Sequence, residues 1–199
     1  MSEGPVVTRS PGRSAGRLQT AVIIAIVAVC IGVLVYAASG QAPADGITQI
    51  ELGSGAANAA PAIGAEPPAF TGVTWEGKTV SLADFAGKPV WINFGASWCP
   101  DCRTESADVE ATYKAYQDQG LVVLGIFIQE TTDDVGGYAQ RAGLTFPIIV
   151  DEQVIIADAY RTMGIPTHYF IGRDGKIRDI RIGALAKDDM DREVAALMN

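Results

Sequence analysis

Two cysteines separated by two residues constrain this chain more than any other feature. Cys99 and Cys102 enclose Pro100 and Asp101 in the stretch WCPDC, where an apolar, strand-like run gives way to a helical pattern. Pro100 suits the first position of a helix because the N–H that it lacks would have no partner there. The pattern therefore predicts a helix that begins directly after Cys99, with two thiols in its first turn.

The position of the pair predicts its chemistry. Unpaired backbone N–H groups and the helix dipole favour a thiolate at Cys99, and the thiolate is the species that attacks disulfides. We therefore expect Cys99 to be the nucleophile and Cys102 the resolving thiol of thiol–disulfide exchange. A structural zinc site is the alternative, but it needs four ligands. The only other cysteine is Cys30 and the only histidine is His168, so the redox interpretation is favoured.

An uncharged apolar run near the N-terminus predicts a membrane anchor. Residues 21–38 read AVIIAIVAVCIGVLVYAA, long enough as a helix to cross most of a bilayer. Residues 1–20 carry three arginines and one glutamate, and no Lys or Arg follows the run until Lys78. The positive-inside rule makes residues 1–20 a cytoplasmic tail and the rest of the chain extracytoplasmic. A cleaved signal peptide is the alternative, although the run exceeds the usual length of its apolar core.

Composition and charge divide and limit the remainder of the chain. Residues 39–62 are mostly Gly, Ala, Ser, Asn and Pro, which is typical of a flexible linker, and residues 63–199 suffice for one folded domain. Beyond residue 39 the chain holds twelve basic and twenty-two acidic side chains, a net charge of −10. That charge argues against nucleic acid as a partner. Because an exported domain with only two cysteines is not a disulfide-stapled scaffold, we expect the pair to react.

The hydrophobic pattern of residues 63–199 predicts an α/β domain. Residues 70–82 alternate around Glu76-Gly77 as in a β-hairpin. Apolar runs at 89–95 and 121–128 predict buried strands, and the helix between them makes their connection a parallel, right-handed crossover. We expect a mixed central sheet with helices on both faces. Further helices are predicted over 132–142, 154–161 and 187–198, and further strands over 146–150, 167–172 and 177–182. The helix after the cysteine pair is predicted to bury the stripe Cys102, Ser106, Val109, Tyr113 and Tyr116.

Three segments resemble a known family. GKPVWINFGASWCPDC, GIPTHYFIGRDGKI and EGKTVSLADFAGKP are similar to the thioredoxin superfamily, specifically its membrane-anchored TlpA/ResA-like branch, over residues 63–199. The resemblance implies a thioredoxin fold with an extra N-terminal hairpin and one inserted helix and strand. It also implies an extracytoplasmic thiol–disulfide oxidoreductase acting on protein thiols, in several members those of apocytochrome c before haem attachment. Such a protein needs no metal or organic cofactor and receives electrons from a membrane thiol transporter.

The resemblance also assigns roles to residues. Cys99 and Cys102 carry the active-site motif, and Pro166 matches the family's cis-proline. A cis bond, which X–Pro peptides form at low cost, would leave the backbone N–H and C=O of Ile165 free to pair with a strand of substrate. The alternative is that Pro166 merely starts an edge strand. The residues predicted to contact substrate are Trp98, Pro100, Ile165 and Pro166.

Glu105 is the third predicted catalytic residue. It lies three residues beyond Cys102 on nearly the same helical face, and the branch often has an acidic residue there. We expect it to move protons while Cys102 resolves the mixed disulfide. A solvated charge near Arg103 is the alternative. Thioredoxins themselves bury an acid six residues before the first cysteine, where this chain has Asn93, so another proton acceptor is needed.

Asp101 and His168 depart from the family pattern. A carboxylate near Cys99 opposes the thiolate, by about 1 kcal/mol at about 4 Å in water. Because a less stabilised thiolate goes with a less stable reduced form, Asp101 predicts a reductant more than an oxidant. His168 stands where a small hydroxyl residue is usual. It is either a polar strand residue or, with Cys99 and Cys102, a copper(I) site that would make the protein a copper chaperone or metal-site assembly module.

A peroxiredoxin is the third possible function. It requires a peroxidatic cysteine in a Pro-x-x-x-Thr-x-x-Cys pattern. Residues 95–98, which read GASW, do not provide that pattern before Cys99. The sequence therefore favours disulfide exchange over peroxide reduction.

Overall fold

The computed structural model describes residues 23, 26–30, 50–52 and 60–198. The chain divides into two units, residues Met1–Asp45 and Gly46–Asn199. In the first unit, residues 23 and 26–30 are helical, and the other residues of the predicted tail and anchor lie outside the described part. No helix within the described ranges is both long and apolar enough to span a bilayer.

A five-stranded mixed sheet forms the centre of the second unit. The strand order is β6-β5-β4-β7-β8, with β4, β5 and β6 parallel and with β7 and β8 antiparallel to their neighbours. The predicted mixed sheet and parallel crossover are confirmed. The strands are β4 Val90–Gly95, β5 Val122–Ile128, β6 Ile148–Asp151, β7 Thr167–Ile171 and β8 Ile177–Ile182.

Helices cover both faces of this sheet. Alternation along β4 sends Trp91 into one apolar cluster and Ile92 into another. The helices are α1 Pro100–Tyr116, α2 Thr132–Ala142, α3 Ile155–Ala159 and α4 Lys187–Met198. Side chains of α1, α2 and α4 pack in the first cluster, and those of α3 and the N-terminal hairpin pack in the second. Helix α2 and strand β6 lie between β5 and α3 in the chain, and they fit the inserted helix and strand that the resemblance implied. Short 3-10 turns lie at Leu82–Phe85 and Gln117–Gln119.

The N-terminal hairpin is confirmed and has one unexpected strand. β2 Phe70–Val73 and β3 Thr79–Ser81 pair antiparallel, with Gly77 in the turn at a φ of 80° that suits glycine. β1 Glu51–Leu52 pairs with the other side of β2, although it lies within residues 39–62, the predicted linker. Ile50 packs against the second apolar cluster. The residues around Ile50 therefore extend the hairpin.

The predicted stripe on α1 is confirmed at Cys102 and Val109, and Tyr113 and Tyr116 pack against the first apolar cluster, but Glu105 and Thr112 are buried in addition. The buried positions are Cys102, Glu105, Val109 and Thr112, whereas Ser106, Tyr113 and Tyr116 are half-buried. Two of the buried residues are polar, and both have partners. The hydroxyl of Thr112 donates to Asp191 at 3.0 Å, and the Glu105 carboxylate accepts two hydrogen bonds. A hydrophobic pattern alone cannot predict a buried helix face that contains hydrogen-bonded polar residues. Two other elements differ slightly in their bounds. Strand β6 was predicted over 146–150 and spans Ile148–Asp151, and helix α3 was predicted over 154–161 and spans Ile155–Ala159.

Candidate active site

The two cysteines of the motif form a disulfide at the N-terminus of α1. Their Cα atoms are 5.3 Å apart, and each residue is less than a tenth exposed. Cys99 is the N-cap, and its sulfur accepts a hydrogen bond from the backbone N–H of Cys102 at 3.1 Å. Pro100 is the first helical residue, as predicted. The helix start therefore places a backbone donor at the Cys99 sulfur, the arrangement that favours a thiolate after reduction.

The loop before β7 lies beside this disulfide. The Ile165–Pro166 peptide bond is cis, as the resemblance implied. The carbonyl oxygen of Ile165 is 3.9 Å from the Cys99 sulfur, and its side chain packs against the small cluster of Ala96 and the two cysteines. The hydroxyl of Thr167 donates to the carbonyl of Gly164 at 2.6 Å and fixes the loop. Backbone and sulfur are thus close neighbours at one surface.

The predicted substrate contacts differ in exposure. Trp98 is half exposed, Pro100 is exposed, Ile165 is half-buried and Pro166 is buried. Met163, three residues before Pro166, is 93% exposed. Exposed apolar side chains therefore stand on both segments that border the disulfide, which is typical of a surface that receives another polypeptide.

Glu105 is buried, which excludes the alternative of a solvated helix charge. It is 2% exposed, and its Oε1 accepts a hydrogen bond from the Asn93 amide at 3.3 Å. Its Oε2 accepts one from the Leu185 backbone N–H at 3.0 Å. A Cβ built on Gly95 would lie 3.6 Å from both the Asn93 Oδ1 and the Cys102 Cβ. The side chains of Asn93 and Cys102 therefore both lie beside Gly95, and α1 supplies the buried acid that β4 lacks.

His168 is completely buried in the same network. Its Nδ1 accepts a hydrogen bond from the Trp91 indole N–H at 3.3 Å, and its Nε2 lies 3.5 Å from the Glu105 Oε2. In the described part of the chain, no group of three or more His, Cys, Asp or Glu side chains is placed to hold a metal ion. The hypothetical copper set of Cys99, Cys102 and His168 therefore gains no support.

Glu130 holds the loop before Cys99 in place through hydrogen bonds, a role that the sequence did not predict. Its carboxylate accepts hydrogen bonds from the backbone N–H of Ser97, at 2.8 Å, and from the Ser97 hydroxyl. Burial raises the pKa of Glu130, the hydrogen bonds from Ser97 act against that rise, and the charge of Asp134 adds to it. The sequence does contain a signal that places Glu130 near the motif. Cys99 and Glu130 both follow parallel strands, and the carboxyl ends of parallel strands meet at one edge of the sheet.

Comparisons with known proteins agree with this geometry. Residues 63–180 match the model of the AhpC/TSA family. The thiol–disulfide oxidoreductase ResA of Geobacillus thermodenitrificans is 34% identical over 136 residues, which cover 68% of this chain and 78% of that protein. The thioredoxin-like protein YneN of Bacillus subtilis is 37% identical over 133 residues, covering 66% and 78%.

A solved structure shares the fold. The crystal structure of a thiol:disulfide interchange protein of the thioredoxin family from Chlorobium tepidum superposes with a TM-score of 0.64 at 31% identity, covering 70% of this chain and 100% of that one. The chain belongs to the AhpC/TSA thioredoxin-like family and is a thiol–disulfide oxidoreductase.

Proposed function

We propose that this protein is a membrane-anchored, extracytoplasmic reductase of partner-protein disulfides. The observation that carries the proposal is the contact between the Cys99 sulfur, at the start of α1, and the Ile165 carbonyl beside the cis bond. A client strand that pairs with this backbone brings its own sulfur to Cys99. Trp98 and Met163 add apolar contacts on either side.

The reaction proceeds in two exchanges. The Cys99 thiolate attacks a client disulfide, and the displaced client sulfur leaves as a thiolate that takes a proton. Cys102 then loses its proton and attacks the Cys99 sulfur, which releases the second client thiol and forms the Cys99–Cys102 disulfide. The client gains two electrons and the domain loses two. A membrane thiol transporter returns those electrons.

Glu105 is the proposed acceptor of the Cys102 proton. It is buried on the same face of α1 as Cys102 and accepts a hydrogen bond from the Asn93 amide. The side chains of Asn93 and Cys102 both lie beside Gly95. A positioned carboxylate of this kind serves as a general base in resolution and as a general acid for the departing client thiolate.

Direction and client complete the proposal. Asp101, between the cysteines, opposes the Cys99 thiolate and favours the reducing direction. The uncharged run at 21–38 and the arginines before it support an anchor with the domain outside the cytoplasm. Several members of the branch that the sequence resembles reduce apocytochrome c, and we propose the same client class here.

Trapping tests the proposal directly. A Cys102→Ser chain, reduced and returned to the extracytoplasmic compartment, is expected to accumulate clients as mixed disulfides on Cys99. The matched control, Cys99→Ser, is expected to trap none. Clients trapped on Cys102 of the Cys99→Ser chain would contradict the proposed roles of the two cysteines. A reduction potential near −120 mV for the unmodified cysteine pair would contradict the proposed direction. Consumption of peroxide with a thiol donor would favour a peroxiredoxin instead.

A further inference from the structure

His168 lies in a buried row of polar side chains, and its hydrogen-bond partners determine which ring nitrogen carries the proton. It lies on β7 opposite Asn93 of β4, and its ring packs against Trp91 and Phe170. An indole N–H can only donate a hydrogen bond, so the Nδ1 that receives it from Trp91 carries no proton. The ring proton is therefore on Nε2.

The Nε2 side of the ring meets a carboxylate. The distance to the Glu105 Oε2 is 3.5 Å, longer than a good hydrogen bond, and no other partner for Nε2 exists in the described ranges. A buried N–H without an acceptor is unfavourable, so a small approach of the carboxylate is favoured. The other groups that bond this carboxylate, the Asn93 amide and the Leu185 N–H, are donors as well.

We propose that His168 is a positioning residue for Glu105. Its Nε2–H, held in place by Trp91, is the third donor that orients the carboxylate for the Cys102 proton. The inference rests on the proposed function of Glu105. In the resolution step the Cys102 thiol gives its proton to Glu105, and the Cys102 thiolate forms the bond to Cys99. The client thiolate then leaves and takes the proton back from Glu105.

Among the residues that the structure describes, the other charged neighbour of His168 is already paired. Arg181 is its register partner on β8, but that guanidinium is paired with Asp179 of β8 and Glu193 of α4. On the β4 side the neighbour is the uncharged Asn93. Glu105 of α1 is thus the ionisable group that His168 contacts directly.

Nitrogen NMR tests the tautomer without any measurement of activity. The chain has one histidine, so labelling with ¹⁵N-histidine gives signals from His168 alone. We expect a protonated Nε2 and an unprotonated Nδ1 in the folded chain. A proton on Nδ1 in the unmodified chain would overturn the proposal.

The pH profile of resolution tests the positioning role. Using a mixed disulfide formed beforehand on Cys99, we expect His168→Phe to slow release of the client about 10-fold or more and to alter the pH profile. His168→Gln, whose amide N–H can reach the same carboxylate, is expected to restore most of the rate. If the unmodified profile persists in His168→Phe, or if His168→Gln fails to restore the rate in a folded chain, the positioning role is wrong. Failure of the unmodified chain to form or resolve the mixed disulfide contradicts the proposed function instead, and the NMR result is independent of it.

Discussion

Glu105 shows how one side chain compensates for another at the residue scale. β4 carries Asn93 where thioredoxins bury an acid, and the amide of Asn93 binds a carboxylate that reaches it from α1. A buried carboxylate needs hydrogen-bond donors, and Asn93 and the Leu185 N–H supply two. In this chain the buried acid therefore stands on the helix and a donor that supports it stands on the strand.

Removal of this carboxylate is expected to affect the second exchange. Glu105→Gln keeps the size of the side chain but cannot take a proton from Cys102. We expect client release from a mixed disulfide on Cys99 to slow about 10²-fold, the lower range for a lost general base, with a smaller effect on the initial attack. Stopped-flow measurement of each step separates the two. Asp108→Asn, half-buried on the same helix, is the control and should leave both rates unchanged.

Glu130 is expected to make stability depend on pH. Its pKa is raised in the folded chain from the ordinary 4.5, with burial as the largest cause. Just above that ordinary value the folded chain keeps the proton while the unfolded chain has lost it, so the free energy of unfolding falls as pH rises. The fall ends once pH exceeds the raised pKa. Urea unfolding at several pH values should show the unmodified chain losing stability relative to Glu130→Gln across this window.

The hydroxyl of Ser97 provides a control for this slope. Its hydrogen bond lowers the pKa of Glu130, so Ser97→Ala is expected to raise that pKa further and to extend the fall in stability to higher pH. A stability difference between the unmodified chain and Glu130→Gln that does not change with pH would show that Glu130 does not titrate differently in the two states.

At the scale of elements, the hairpin is joined to the main sheet by close packing at one glycine. Gly72 in β2 is buried, and a Cβ there would lie 2.5 Å from the Ile149 Cγ2 of β6 and 3.5 Å from the Ile156 Cδ1 of α3. An isolated bridge between Thr74 and Ile149 continues the contact. The branched side chain of Ile149 has little freedom to move away.

A methyl group at this position is therefore expected to separate the hairpin from the sheet. We predict that Gly72→Ala lowers the free energy of unfolding by about 1–3 kcal/mol, the usual cost of overpacking. Gly164→Ala, where a Cβ meets no atom within 4 Å, is the matched control and should not lose stability. Denaturant unfolding measures both variants. Equal stabilities would mean that β6 and α3 shift without cost.

For the whole molecule, the prediction concerns the two units. The second unit, Gly46–Asn199, contains both sheets and the disulfide, and the apolar run lies in the first. We expect the full chain to sediment with membranes and its domain to be accessible to protease from outside the cytoplasm. A chain that begins at Gly46 should stay in solution and still reduce a disulfide peptide. If the expressed full chain is instead recovered from the soluble fraction in a shortened form, with a new N-terminus near residue 39, the apolar run is a cleaved signal peptide.

The sequence by itself determined the fold class, the helix that starts after Cys99, the hairpin and the residues of the disulfide. These features follow from local signals: Pro100 at a helix start, apolar runs in strands and turn glycines. Only the tertiary structure decided the polar part of the site. Trp91, His168, Glu105 and Leu185 are far apart in sequence, and so are Ser97 and Glu130. Their meeting depends on strand register and helix rotation, and a buried polar group is located by its partner, which no local pattern identifies.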